Sequence, residues 1–191
     1  MTLRSQTCVP ADHLWLRVAK PDWKDPVDAS FAAEHGGRWN APRSWPTLYL
    51  NRDLDTARAQ VSRLLEGTFA EPEDLSDDAF VLVAARVPRA VAADVVSPSG
   101  VSAAGLPSTY PLNANGSVVS HGRCQVIGGR AHDDGLGGVE ARSACTPDGS
   151  GRELALWSDL SGVRPVRRRV AYGRWRSRGV VGADALFGHP A

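Results

Sequence analysis

Lysine is nearly missing from this chain. Lys20 and Lys24 are the only lysines among 22 basic residues, so arginine carries almost all of the positive charge. The arginine fork suits bidentate binding of carboxylate and phosphate, although GC-rich coding produces the same bias. Cysteine is scarce as well. Cys8, Cys124 and Cys145 are odd in number, widely spaced and free of any CxxC pair. That argues against a disulfide framework and against a cysteine zinc site. The five histidines are scattered with no HExxH pair, so no metal site is expected. No apolar run approaches the ~18 residues of a membrane helix. The N-terminal stretch MTLRSQTCVPADHLWLR lacks the apolar core of a signal peptide. A cytoplasmic protein with no membrane partner is expected. Excess charge is lacking too: the formal net charge is +1, which gives no global field for nucleic acid or membrane.

What is present fits one globular domain spanning residues 1–191. Hydrophobic residues make up 42% and charged residues 23%, both ordinary for a folded chain. The length suffices to bury roughly two thirds of the unfolded surface.

Short strands are expected at 13–19 (HLWLRVA), 47–50 (TLYL), 80–87 (FVLVAARV), 90–96 (AVAADVV) and 153–158 (ELALWS). The strand at 80–87 is placed centrally. Residues 27–46 read as loop, and 135–143 as a turn entering a strand. The best helix runs from Asp53 to Glu66, with Asn51 or Asp53 as cap and Gly67 as stop. Its apolar stripe is Leu54, Ala57, Val61, Leu64 and Leu65. A shorter helix is expected at 124–132. Residues 97–120 are rich in Gly, Ser, Pro and Asn and read as a functional loop or lid. A basic segment, 163–178, has a strand-like middle and packs on the core. Short strands with few helices argue α+β rather than an alternating parallel fold.

Several residues could carry chemistry. Arg17 lies inside an apolar strand, where a charge needs either a partner or a solvated face. In HGGRWN, Gly36 and Gly37 free the backbone, Trp39 anchors it, and Asn40 and Pro42 close the turn around Arg38. An arginine held this way can present its fork to a phosphate, though a loop arginine can equally be solvated. Tyr49 is either a core aromatic or a stacking face for a flat ring. Gln60 sits near the apolar stripe of the helix and must find partners or a pocket. Ser143 has no GxSxG context and reads as a hydrogen-bonding pocket residue rather than an acyl nucleophile. The run RRRVAYGRWRSR interleaves arginine with Tyr172 and Trp175. That pattern can bind nucleic acid, but a solvated strand face explains it equally, and no nucleic-acid motif accompanies it.

Taken in order, these motifs resemble the RES-domain family. They are Arg17 in LWLRVA, Gly36-Gly37-Arg38-Trp39-Asn40, Leu48-Tyr49-Leu50, Ala57-Arg58-Ala59-Gln60, Cys124-Gln125-Val126-Ile127-Gly128, and Gly138 through Ser143-Ala144. The match spans 13–160. The resemblance implies an ADP-ribosyltransferase-like fold with a mostly antiparallel split sheet. It implies a bacterial toxin that degrades NAD as substrate, with no cofactor, by hydrolysis or phosphorolysis of the nicotinamide–ribose bond. It also implies a partner antitoxin with a helix-turn-helix-type domain, and a dimer or larger complex. Arg17 and Arg38 would hold the pyrophosphate, Tyr49 would pack on the nicotinamide or its ribose, and Ser143 would hydrogen-bond on that side. The chain departs from the family at Gln60, where relatives carry a glutamate. An amide there leaves the ribose charge without an offset, so the alternative is a domain that binds NAD or ADP-ribose, or a protein partner, without turnover. Asp55 and Glu66 lie on other helix faces and do not replace it.

Overall fold

Arg17 needs a strand at its back, and a sheet supplies it. The computed structural model describes residues 5–177, 179–180 and 182–188. Residues 1–4 of the N-terminal stretch and Arg178 at the end of the basic segment lie outside these.

Among the described residues eight strands form one sheet: β1 (Gln6–Val9), β2 (Leu14–Ala19), β3 (Leu48–Asn51), β4 (Val81–Arg86), β5 (Ala90–Val95), β6 (Gly138–Arg142), β7 (Arg152–Leu156) and β8 (Arg164–Ala171). Five α-helices accompany them: α1 (Ser30–His35), α2 (Leu54–Leu64), α3 (Pro98–Ala103), α4 (His121–Asp133) and α5 (Asp184–Phe187). The spatial order is β1-β5-β6-β7-β3-β2-β4-β8. Only β5 and β6 run parallel; the other pairs are antiparallel. The fold is thus a single α+β domain, as expected.

The sheet is nearly divided at its middle. β2 and β3 share one paired position, Leu16↔Asn51, whereas β2 and β4 pair along six. The strand at 80–87 is accordingly not central: β4 lies one place in from the β8 edge.

Alternation along the strands sorts the core. Val139, Ala141 and Ala155 face α3 and α4, and pack with Trp39, Cys124 and Ile127. Leu48, Leu50, Leu154 and Leu156 pack on the opposite face with Trp15 and Val163. Beyond the division, Leu16, Val18, Leu82 and Val170 pack with Ala57 and Val61 of α2.

Helix α2 starts where the sequence indicates. The Asp53 side chain accepts from the Thr56 backbone N–H and hydroxyl, both at 2.8 Å. Leu54, Ala57 and Val61 are buried, but Leu64 is 56% exposed, so the apolar stripe ends a turn early. The 27–46 loop contains α1, which has no side-chain cap and buries only Ala32; six residues with so little periodicity give no helical signal. The 97–120 segment holds α3 and then packs Leu106, Tyr110 and Val119 into the core. These residues make it part of the wall of the domain core. The basic segment places Val170, Tyr172 and Trp175 inside the core while Arg164, Arg167 and Arg168 face solvent. Its aromatics are therefore unavailable for stacking on bases. Cys8, Cys124 and Cys145 are all free thiols, and no helix among the described residues is long and apolar enough to cross a membrane.

Candidate functional site

The HGGRWN turn leaves α1 and is built to a tight specification. Gly36 has φ +75° and abuts Pro42, so it closes the helix in a conformation that side chains avoid. Gly37 lies against the Tyr49 ring; a Cβ there would stand 2.6 Å from Tyr49 Cε2. The second glycine thus admits the tyrosine. The Tyr49 hydroxyl accepts from the Trp39 N–H at 2.9 Å and donates to Asn40 Oδ1 at 2.8 Å. Asn40, fully buried, in turn donates to the Ala32 carbonyl at 2.6 Å. Burial pushes the Tyr49 phenol far above its ordinary range, so it remains a neutral donor at physiological pH.

Helix α4 braces the turn from the other side, and its sequence explains how. Cys124 faces Arg38, with Nη1 3.8 Å from Sγ. Gln125 donates to the Gly37 carbonyl at 2.9 Å. Gly128 lies flush against the Trp39 carbonyl and has no room for a Cβ. Arg38 Nη1 also donates to the Val119 carbonyl at 2.9 Å. Among the described residues Nη1 is the only Arg38 nitrogen with a protein acceptor, which leaves the rest of the fork available.

These elements wall a cavity of about 300 Å³ beside the division between β2 and β3. Its lining includes Arg17, Arg38, Tyr49, Asn51, Gln60 and Glu153. Four of the five residues singled out in the sequence therefore converge. Arg17 is the one incompletely buried position of β2. It donates to the Asp28 carbonyl at 3.1 Å, and its guanidinium carbon lies 5.5 Å from the Trp23 ring centre. Gln60 accepts from the Asn51 amide at 2.6 Å as the two amides are oriented. A second, larger cleft of about 960 Å³ adjoins the cavity and shares Arg17 and Phe31 with it; it is lined by both lysines, Lys20 and Lys24, and by Trp23.

Ser143 is placed differently. It is fully buried and does not line the cavity. Its hydroxyl accepts from the Cys145 N–H and donates to Glu153 Oε2, both at 3.2 Å. It reaches the cavity indirectly, through two residues that line it, Glu153 and Cys145.

Glu153 is the residue that sequence reasoning missed. Its other oxygen, Oε1, accepts from Trp39 Nε1 at 3.0 Å. It makes no ion pair among the described residues. Burial pushes its carboxyl above the ordinary carboxylate range, opposed by the Trp39 hydrogen bond, by the Arg38 charge and by Ser143. One signal was available: an acid at the head of the apolar run ELALW, a weaker form of the anomaly that Arg17 makes inside LWLRVA.

The arrangement thus offers two arginines, an aromatic wall, two amides and one carboxylate around a single concavity. Comparison with known proteins bears on the family and the fold. A search of curated protein sequences finds no match. Among solved structures, a chain of the crystal structure of the M. tuberculosis MbcT-MbcA toxin-antitoxin complex has a similar fold, with a TM-score of 0.68 at 21% identity, covering 86% of this chain and 88% of that one. The RES domain family profile matches residues 14–175, from the start of β2 through the last buried tryptophan. The chain belongs to the RES-domain family.

Proposed function

We propose that this protein is a RES-type toxin that cleaves the nicotinamide–ribose bond of NAD and is held in check by an antitoxin. The observation that carries the reading is the convergence of Arg17, Arg38, Tyr49 and Gln60 on one cavity. NAD has an anionic pyrophosphate between two flat-ringed nucleosides. The cavity suits the nicotinamide riboside half, with Tyr49 as its aromatic wall. Arg17, which both cavities share, stands where the pyrophosphate would cross. The adjoining cleft then takes the adenosine end against Trp23, with the two lysines adding positive charge. Each charge-assisted hydrogen bond from an arginine contributes roughly 1.5–3 kcal/mol to such binding.

Cleavage breaks the bond between the nicotinamide nitrogen and ribose C1. The electron pair leaves with the ring, and water or phosphate attacks the carbon. Positive charge develops on the ribose, and a preorganised negative group stabilises it. The solved toxin–antitoxin complex of similar fold supports a protein partner for this chain. A face open to NAD is also open to an inserted antitoxin segment.

Incubating the purified protein with NAD, with and without phosphate, tests the reading. Free nicotinamide should appear, with ADP-ribose formed in water or its 1-phosphate in phosphate buffer. Absence of nicotinamide under both conditions removes the enzymatic reading. The neutral Gln60 supports a second reading, in which the cavity binds NAD or ADP-ribose without turnover. Saturable NAD binding that is lost in Arg38→Ala, with no nicotinamide released by any form of the protein, would favour it.

A further inference from the structure

Position 60 presents a neutral amide to the cavity, yet the cavity does not lack a carboxylate. Glu153 stands on β7 directly across from Asn51 of β3, the residue whose amide donates to Gln60. With side chains alternating along each strand, Tyr49, Asn51 and Glu153 belong to one face of the sheet. The carboxylate therefore lines the same concavity as Gln60, on the far side of Asn51 and carried by β7 instead of α2.

Its setting is that of a fixed reagent. Both oxygens are held, one by the Trp39 indole and one by the Ser143 hydroxyl. Neither donor is charged, so the carboxylate's charge is not consumed by a salt bridge. A partly buried carboxylate without a paired cation is costly to keep. Such a group inside a ligand cavity is a candidate reagent. The other carboxylates near the helix are engaged elsewhere. Asp55 and Glu66 are 86% and 60% exposed and pair with Arg58 and Arg63. Glu140 is bound to Arg52 at 3.1 Å. Among the described residues Glu153 is the one carboxylate lining the inner cavity.

We propose that Glu153 is the catalytic carboxylate of this chain, taking over from strand β7 the role that Gln60 has vacated on helix α2. The inference rests on the NAD reading above. As the nicotinamide departs with the bonding electron pair, the Glu153 charge offsets the positive ribose. In hydrolysis the attacking water forms the new C1–O bond and gives its proton to the Glu153 carboxylate, which then passes it to solvent. In phosphorolysis the phosphate oxygen forms that bond, and Glu153 acts by charge alone. Ser143 is a positioning residue in this scheme, since it does not line the cavity and acts on the carboxylate by holding Oε2.

The test compares wild type, Glu153→Gln, Gln60→Glu and the double variant for nicotinamide release and for NAD affinity by calorimetry. Glutamine at 153 keeps an acceptor oxygen for the Trp39 indole, turns an amide N–H toward the Ser143 Oγ in place of the bond accepted there, and removes the charge. The expected result is a fall in kcat of about 10²–10³ with NAD affinity changed less than a few-fold, and partial recovery in the double variant. If Glu153→Gln turns over at the wild-type rate, the inference is overturned while the NAD reading stands. If wild type is inert and Gln60→Glu is active, Glu153 does not serve and the site is still an NAD site. If no form binds or cleaves NAD, both readings fall. Should Glu153→Gln not fold, Glu153→Ala with added formate serves instead: a formate-dependent rate supports the inference, and a rate indifferent to formate overturns it.

Discussion

The carbonyl of Trp39 rests against the Cα of Gly128, with no space left for even a methyl group. Helix α4 thus touches the HGGRWN turn backbone to backbone. Substituting Gly128→Ala should raise helix propensity by about 1 kcal/mol. The contact reverses that sign, because backbone on one side and a packed helix on the other cannot yield cheaply. We expect a net loss of roughly 1–3 kcal/mol, or a fall in Tm of several degrees. NAD affinity should fall with it, since Arg38 is aimed by this packing. Thermal melting and NAD titration of Gly128→Ala check both.

Arg38 is the second point of test. Its Nη1 is committed to the Val119 carbonyl, which fixes the side chain and leaves the remaining nitrogens to the cavity. Arg38→Lys keeps the charge but cannot make both connections at once. Loss of one charge-assisted hydrogen bond, roughly 1.5–3 kcal/mol, corresponds to about a 10- to 100-fold weaker Kd for NAD. Titration of Arg38→Lys beside Arg38→Ala measures it. Equal affinity in wild type and the lysine variant would show that Arg38 does not contact the ligand.

How much of this site could be read from the chain alone depends on the range of the contact. Gly36 and Gly37 announce a strained turn because their cause is local: a positive φ and a close tyrosine. Helix α2 announces itself through Asp53 and the spacing of Leu54, Ala57 and Val61. Strand β1 and helix α1 are too short to carry a period. Glu153 escaped for a different reason. It meets Trp39 across 114 positions of sequence, and only the β3–β7 pairing brings them together. The burial of Ser143 beneath it has the same origin: β6 and β7 pair Ala141 with Glu153, so the serine that follows β6 ends up under the carboxylate. Motif order identified the participants, and strand register decided which of them line the cavity.

Tyr49 yields a prediction at high pH. Burial raises its folded-state pKa far above that of the unfolded chain. The stability this contributes is fully present below the ordinary tyrosine pKa of about 10 and is lost as pH rises toward the folded value. Tyr49→Phe leaves the Trp39 N–H and Asn40 Oδ1 without their partner. It should cost roughly 1–3 kcal/mol at neutral pH. The penalty should shrink above pH 10, where wild type alone loses stability through this group. Urea melts of the two proteins at pH 7 and pH 10.5 measure the difference.

Glu153 should show the opposite balance between activity and stability. Its carboxyl is raised by burial, so the sign follows from linkage: its contribution is fully present below the ordinary carboxylate pKa and is lost as pH rises through the folded value. At neutral pH the charge therefore weighs against the fold. Glu153→Gln keeps an acceptor for Trp39 and replaces the bond accepted from Ser143 by an amide N–H donated to its Oγ, while removing the buried charge. The variant should be more stable than wild type at pH 7, by about 1 kcal/mol, as for other substitutions that relax a functional site. The gain should vanish as pH falls below about 4, where wild type too is neutral at this position. Denaturant melts of both proteins across that range decide the point. A variant less stable than wild type at pH 7 would mean that the carboxylate is held by the fold for its structural bonds, and not kept in spite of its cost.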